Sequence, residues 1–133
     1  MQSLDSSRTE RCTVDNRPKT LFIDIDGTLL YHQGIGNLQS KLKSPQPLPG
    51  VLEKFDEWDR KGYKFILVTG RRESEREATQ EQLHTMGIVY DQLIMGVGGG
   101  QRVMINDTKP GSDWPTALAV VVKRNAGISD VEI

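Results

Sequence analysis

Leu21-Phe22-Ile23-Asp24-Ile25-Asp26-Gly27-Thr28-Leu29 is the stretch on which the reading of this chain turns. An apolar, β-type run begins abruptly after a polar leader and is stopped by Gly27. Asp24 and Asp26 therefore fall two apart at the carboxyl end of a first, buried strand, where open α/β sheets place their ligands. Two like charges taken out of water are costly unless a cation or a shared proton offsets them. Mg2+, which takes oxygen ligands, is the direct remedy. A generic Asp-x-Asp can also be a turn cap beside a solvated neighbour. The apolar lead-in and the Gly-Thr-Leu that follows favour a site.

Working outward, Tyr31 to Pro49 holds glycine and proline clusters with no sustained periodicity. It reads as an excursion of the length that is usually functional or mobile. Pro49-Gly50 then opens a helical pattern, with Val51, Leu52, Phe55 and Trp58 at helical spacing, closed by Gly62 after Arg60 and Lys61. Phe65 to Val68 is a continuous apolar run, as in a strand buried on both faces of a parallel sheet. Glu73 to Met86 is helix-favouring and ends at Gly87, and further short apolar runs lie at Leu93–Met95, Val103–Ile105 and Ala117–Val122. Strand, helix, strand, helix, strand predicts an α/β fold, an open and mostly parallel sheet with helices on its faces. Only Gly96 to Arg102 separates the third and fourth expected strands, too few residues for a helical crossover. Either the third strand is a short edge or the connection runs extended beneath the sheet.

A chain of 133 residues predicts one domain, here a flexible polar leader over residues 1–18 and a folded domain over 19–133. Its 17 basic and 18 acidic side chains argue against coating nucleic acid by bulk charge. Ala117–Val122, the longest apolar run, is far short of the ~20 residues of a membrane span. Met1 to Pro18 has no apolar signal core, so the expected location is cytoplasmic. Cys12 is the one cysteine, which excludes internal disulfides and thiolate metal clusters. Gly96-Val97-Gly98-Gly99-Gly100 lacks Gly-Lys-Ser/Thr and reads as a flexible turn. His32 and His84 are unpaired by pattern and suggest no histidine metal site. His84 reads as a helix surface residue, while His32 follows the first motif closely enough to reach a substrate.

The run into Asp24-Ile25-Asp26-Gly27-Thr28 resembles the first motif of the haloacid dehalogenase superfamily of phosphatases and phosphotransferases. The resemblance extends to Ile66-Leu67-Val68-Thr69-Gly70-Arg71 and to Val103-Met104-Ile105-Asn106-Asp107, in the family's order over roughly residues 20–122. It implies a Rossmann-like three-layer domain and, since neither intermotif gap can hold a further domain, no cap. It implies that Asp24 is the nucleophile that forms an aspartyl-phosphate and that Asp26 is the general acid/base, with its carbonyl on the metal. Thr69 would hold a phosphoryl oxygen, and Thr28, Gly70, Arg71 and Arg72 would lie on the substrate side. Asp107, with Asn106, would join Asp24 and Asp26 around Mg2+. The family's lysine between its second and fourth motifs is missing, since no lysine lies between Thr69 and Asp107. Lys109, beside the acidic motif, is the favoured replacement over Arg71, Arg72 and Arg102.

The run of motifs is also similar to small phosphatases of polysaccharide and sugar-nucleotide biosynthesis, which makes a sugar phosphate the first expected substrate. A 3′-phosphate on nucleic acid and a phosphoprotein come next. An uncapped site suits a bulky substrate, or a small one enclosed by a second subunit, so a homo-oligomer is expected. A phosphotransferase and a non-catalytic phosphate- or partner-binding protein are the competing functions.

Overall fold

The computed structural model describes residues 15–32 and 46–133. Most of the leader, with Cys12, and most of the Tyr31–Pro49 excursion lie outside the described residues. The chain divides into two compact units, Pro18–Gly99 with Val121–Ile133, and Met1–Arg17 with Gly100–Val120.

In the larger unit the apolar runs become a parallel sheet. Strands β1 (Thr20–Asp24), β2 (Lys64–Val68) and β3 (Gln92–Ile94) lie in the order β1-β2-β3. Leu21 pairs with Phe65, and Asp24 with Val68; Leu67 pairs with Leu93 on the far side of β2. Helix α1 (Val51–Arg60) joins β1 to β2, and a 3-10 turn (Glu73–Glu75) running into α2 (Arg76–Thr85) joins β2 to β3. Each crossover supplies the length that parallel pairing requires. The open question about the third strand resolves as the short edge.

Side chains alternate across a strand, so Leu21, Phe65, Leu67 and Leu93 share one face, and all are buried. That face meets the helices. Phe55 of α1 stacks on Phe65 with ring centroids 4.6 Å apart, and Leu83 of α2 is buried in the same cluster. The opposite face carries Phe22 and Ile94, which are 51% and 42% exposed.

The C-terminal segment straps across this unit. Lys54 of α1, largely buried, reaches Glu132 at 3.2 Å, and Lys61 donates to the Ile133 carbonyl at 3.3 Å. Ile128 is buried and donates its N–H to the Pro49 carbonyl at 2.9 Å. Two glycines make the close approach possible. A Cβ on Gly127 would lie 2.3 Å from the Pro49 oxygen, and one on Gly50 would lie 2.5 Å from Ser129. Both take left-handed backbone, φ +88° and +81°, which glycine adopts at little steric cost.

Two expected strands do not form. Val103, Met104 and Ile105 are 74%, 52% and 90% exposed and belong to no strand, and Ala117–Val122 belongs to none either. A strand needs a neighbour to complete its ladder, and β-propensity alone does not supply one. The glycine-rich connection after β3 is also too short to return a parallel partner. Within the smaller unit, Thr108 and Pro115 form an isolated antiparallel bridge, and the Thr116 hydroxyl donates to the Asp107 carbonyl. No helix among the described residues is long and apolar enough to cross a membrane.

Candidate active site

Strand β1 stops at Asp24 because the chain turns there around one carbonyl. Ile25 O accepts from the N–H groups of Thr28, Leu29 and Leu30, at 3.2, 2.9 and 3.0 Å. Ile25 and Leu29 are completely buried and Leu30 nearly so, which anchors the turn from below. Asp24, Asp26 and Thr28 are only partly buried and lie at the carboxyl edge of the sheet.

The Thr28 hydroxyl donates to Asp24 Oδ2 at 3.3 Å. Asp24, Asp26, Gly27, Thr28, Val122 and Arg124 line an open polar cavity of about 190 Å3. The sequence-predicted carboxylates and Thr28 thus come together.

Thr69 follows β2 and is buried to 1%. Its N–H donates to the Ile94 carbonyl at 3.0 Å, and its hydroxyl oxygen accepts the Arg71 N–H at 3.1 Å. The hydroxyl proton is not needed for that bond. Gly70 beside it is exposed, and a Cβ there would meet the Val97 carbonyl at 3.1 Å.

The sequence set Arg71 on the substrate side, and the structure shows its side chain bonded to Asp26 and α2. Its Nε and Nη2 form a fork on Asp26, at 2.9 and 2.7 Å, and Nη1 donates to Thr79 and Gln82 of α2 at 3.1 and 2.8 Å. Those bonds place four of the five N–H donors of a guanidinium. The Asp26 hydrogen bond raises the Arg71 pKa above its ordinary value, against the lowering effect of burial. A permanent cation therefore fixes the orientation of the Asp26 carboxylate. Arg72 is exposed, and its N–H donates to Glu75 at 3.0 Å, capping the turn before α2.

Asn106, Asp107 and Lys109 belong to the smaller unit, where all three are exposed. Lys109 Nζ pairs there with Asp15 at 3.5 Å. Arg102 belongs to the same unit and is also exposed. Of the histidines, His84 is exposed on α2, as expected. His32 is half-buried beside the Asp24–Thr28 turn, where it meets Arg124 and Asn125.

Sequence reasoning missed Arg124 and Asn125. Asn125 donates its N–H to the Gly27 carbonyl at 2.8 Å, and its Oδ1 accepts the His32 N–H at 2.6 Å. Its φ of +64° is left-handed, a conformation that asparagine tolerates better than most residues. Arg124 lies along the turn: its Cγ is 3.3 Å from where a Gly27 Cβ would stand, and its Nη1 is 3.3 Å from His32 Nδ1. The available signal was the abrupt polar end of an apolar run, Val122-Lys123-Arg124-Asn125, which looks like the strand ends that carry the other site residues.

Residues 1–110 match the family described as HAD superfamily, subfamily IIIB (acid phosphatase). A chain in the structure of the Pnkp1/Rnl/Hen1 complex is 28% identical, with a TM-score of 0.49 over 68% of this chain and 33% of that one. This chain therefore spans about a third of that neighbour's length. A structural-genomics target from Vibrio cholerae is 20% identical, with a TM-score of 0.46 over 66% of this chain and 79% of that one. Comparison with curated protein sequences finds no match.

Proposed function

The chain belongs to the haloacid dehalogenase superfamily, subfamily IIIB of acid phosphatases, and we propose that it hydrolyses phosphomonoesters through an aspartyl-phosphate on Asp24. The observation that carries this reading is the parallel register of β1 and β2. It sets Asp24 beside Val68, so that Asp24, Asp26 and Thr69 end at one sheet edge, where the two carboxylates line the cavity.

In the proposed reaction an Asp24 oxygen attacks phosphorus, the new O–P bond forms, and the ester P–O bond breaks. Asp26 gives a proton to the departing oxygen. It then takes a proton from water as the water attacks phosphorus and the Asp24 O–P bond breaks. The Thr28 bond orients the nucleophile, and the Arg71 fork orients the acid/base. Thr69 is proposed to donate its hydroxyl proton to a phosphoryl oxygen, with Gly70 and Arg72 at the substrate side.

The donors fit Mg2+ in kind. Asp24 offers a carboxylate and Asp26 a main-chain carbonyl, both hard oxygens. The Asp26 carboxylate is engaged by Arg71 and is left to acid/base work. Among the described residues no group of three or more His, Cys, Asp or Glu is gathered. Asp107, with Asn106, is proposed as a further ligand, and Lys109 as the balancing cation, on motif order alone. When bound, Mg2+ offsets the repulsion between a phosphoryl group and these carboxylates.

A small sugar phosphate is the proposed substrate, a cytoplasmic location is proposed from composition, and closure by a second copy is proposed for the open cavity. Phosphate release should be measured from sugar phosphates, nucleotides, a 3′-phosphorylated oligonucleotide and a phosphopeptide, each with Mg2+, with chelator, and with Asp24→Asn. Release from the sugar phosphates that chelator and Asp24→Asn both abolish is the expected result. Release from the oligonucleotide alone would replace the substrate class, and full activity of Asp24→Asn would overturn the mechanism. Transfer to an added acceptor alcohol in preference to water would make the protein a phosphotransferase.

A further inference from the structure

Two guanidinium groups lie near the same carboxylates, and they are held in opposite ways. Arg71 is forked onto Asp26 and bonded to Thr79 and Gln82, so its charge is matched and its donors are mostly placed. Arg124 lines the cavity itself. Among the described residues its partner is His32 Nδ1, at 3.3 Å, and it pairs with no carboxylate. An arginine has donors and no acceptor, so in this contact the guanidinium is the donor and Nδ1 the acceptor. An imidazole acceptor brings no negative charge, so it orients the guanidinium without neutralising it. The full positive charge and most of the five donors stay available at the wall of the cavity.

The backbone holds this arrangement independently of the two side chains. Asn125 clasps the Gly27 carbonyl and the His32 N–H, and Gly127 lies against Pro49 three residues beyond Arg124. The Arg124 stem lies along Gly27, where no side chain intervenes. Arg124 is itself exposed, so the Gly27 and His32 contacts are what hold it at the cavity wall, and ordering so mobile a side chain is costly unless it serves a contact.

We propose that Arg124 is a substrate-binding residue that takes the phosphoryl oxygens of the substrate by charge-assisted hydrogen bonds, and that His32 is the residue that positions it. The identity of the anion rests on the phosphatase reading; the anion site itself does not. Arg124 gives this chain a cation on the cavity wall from the C-terminal strap, while Arg71 serves Asp26.

The test separates the two readings by measuring binding apart from turnover. Inorganic phosphate is titrated calorimetrically into the wild-type protein, Arg124→Ala, Arg124→Lys, His32→Ala and His32→Asn, with urea unfolding of each as a check on the fold. Arg124→Ala is expected to weaken phosphate binding about tenfold to a hundredfold, the loss of charge-assisted hydrogen bonds. Arg124→Lys should recover part of this, because a point charge replaces the planar donor set. His32→Ala should weaken binding by a smaller factor and raise KM more than it lowers kcat. His32→Asn, whose Oδ1 can stand in for Nδ1, should restore both. Unchanged phosphate binding in a folded Arg124→Ala protein overturns the inference, as does a wild-type protein that binds no phosphate. Phosphate binding that depends on Arg124, without release of phosphate from any ester, would keep the anion site and remove the phosphatase reading.

Discussion

What a guanidinium does near a pair of carboxylates depends on which acceptors surround it, and that is a matter of neighbours from elsewhere in the chain. Arg71 follows Thr69 by two residues, so its place near the site was legible. Its occupation was not, because Thr79 and Gln82 face it only once α2 has formed. The fork on Asp26 predicts that Arg71→Lys, which keeps the charge and loses the planar pair of donors, lowers kcat about tenfold to a hundredfold. KM should move less, because the fork lies on Asp26, the proposed acid/base. Steady-state kinetics check this, and a change confined to KM would return Arg71 to the substrate side. The pKa of Arg71 is raised, so its contribution to stability is full below its ordinary value and is lost only as pH rises through the still higher folded value. Across the assayable range, about pH 5 to 9, the Arg71 charge itself contributes no pH dependence.

At the scale of elements, the strands and helices of the larger unit follow from pattern. Val51, Phe55 and Trp58 recur at helical spacing and are buried, and Phe65 and Leu67 alternate onto the helix face. Val103–Ile105 and Ala117–Val122 are as apolar as those strands, but a run of apolar residues does not name the neighbour that would complete its ladder. The strap at Val121–Ile133 was illegible for the opposite reason: its hold on Pro49, Lys54 and the Asp24–Thr28 turn is made of single backbone contacts, one ion pair and isolated side chains with no periodicity. Gly127 tests it. A Cβ there would stand 2.3 Å from the Pro49 oxygen on a left-handed backbone. Gly127→Ala is therefore expected to destabilise the fold by about 2 kcal/mol or more, read as a lower urea midpoint at unchanged slope. Because the strap also carries Arg124, the same variant should bind inorganic phosphate more weakly under conditions where it remains folded. A variant as stable as the wild type would mean that the strap is not seated on Pro49.

The whole molecule shows why resemblance and geometry see different parts of the site. The family match ends at residue 110, and Arg124 lies beyond it, on a segment that folds back beside the first motif. The two candidate carboxylates, Asp24 and Asp26, were readable from local sequence because acids so close together at a strand end need a reason to be there. The cation across from them comes from a place fixed only by the fold. The near-balance of 17 basic and 18 acidic side chains means that the local imbalance at the cavity, and not net charge, has to govern what binds. A divalent ion held by Asp24 would bind the folded chain and not the unfolded one, so it should raise the unfolding temperature by mass action. At an ion concentration about a hundred times its dissociation constant, the expected stabilisation is about 2.7 kcal/mol. Thermal unfolding of the wild-type protein with increasing MgCl2 should show that rise, while Asp24→Asn should lose most of it and Arg124→Ala should keep it, because a guanidinium has no lone pair to offer a metal. If Asp24→Asn responds to Mg2+ as strongly as the wild type, the ion is not held at the first motif, and the proposed metal dependence has to be sought elsewhere in the chain.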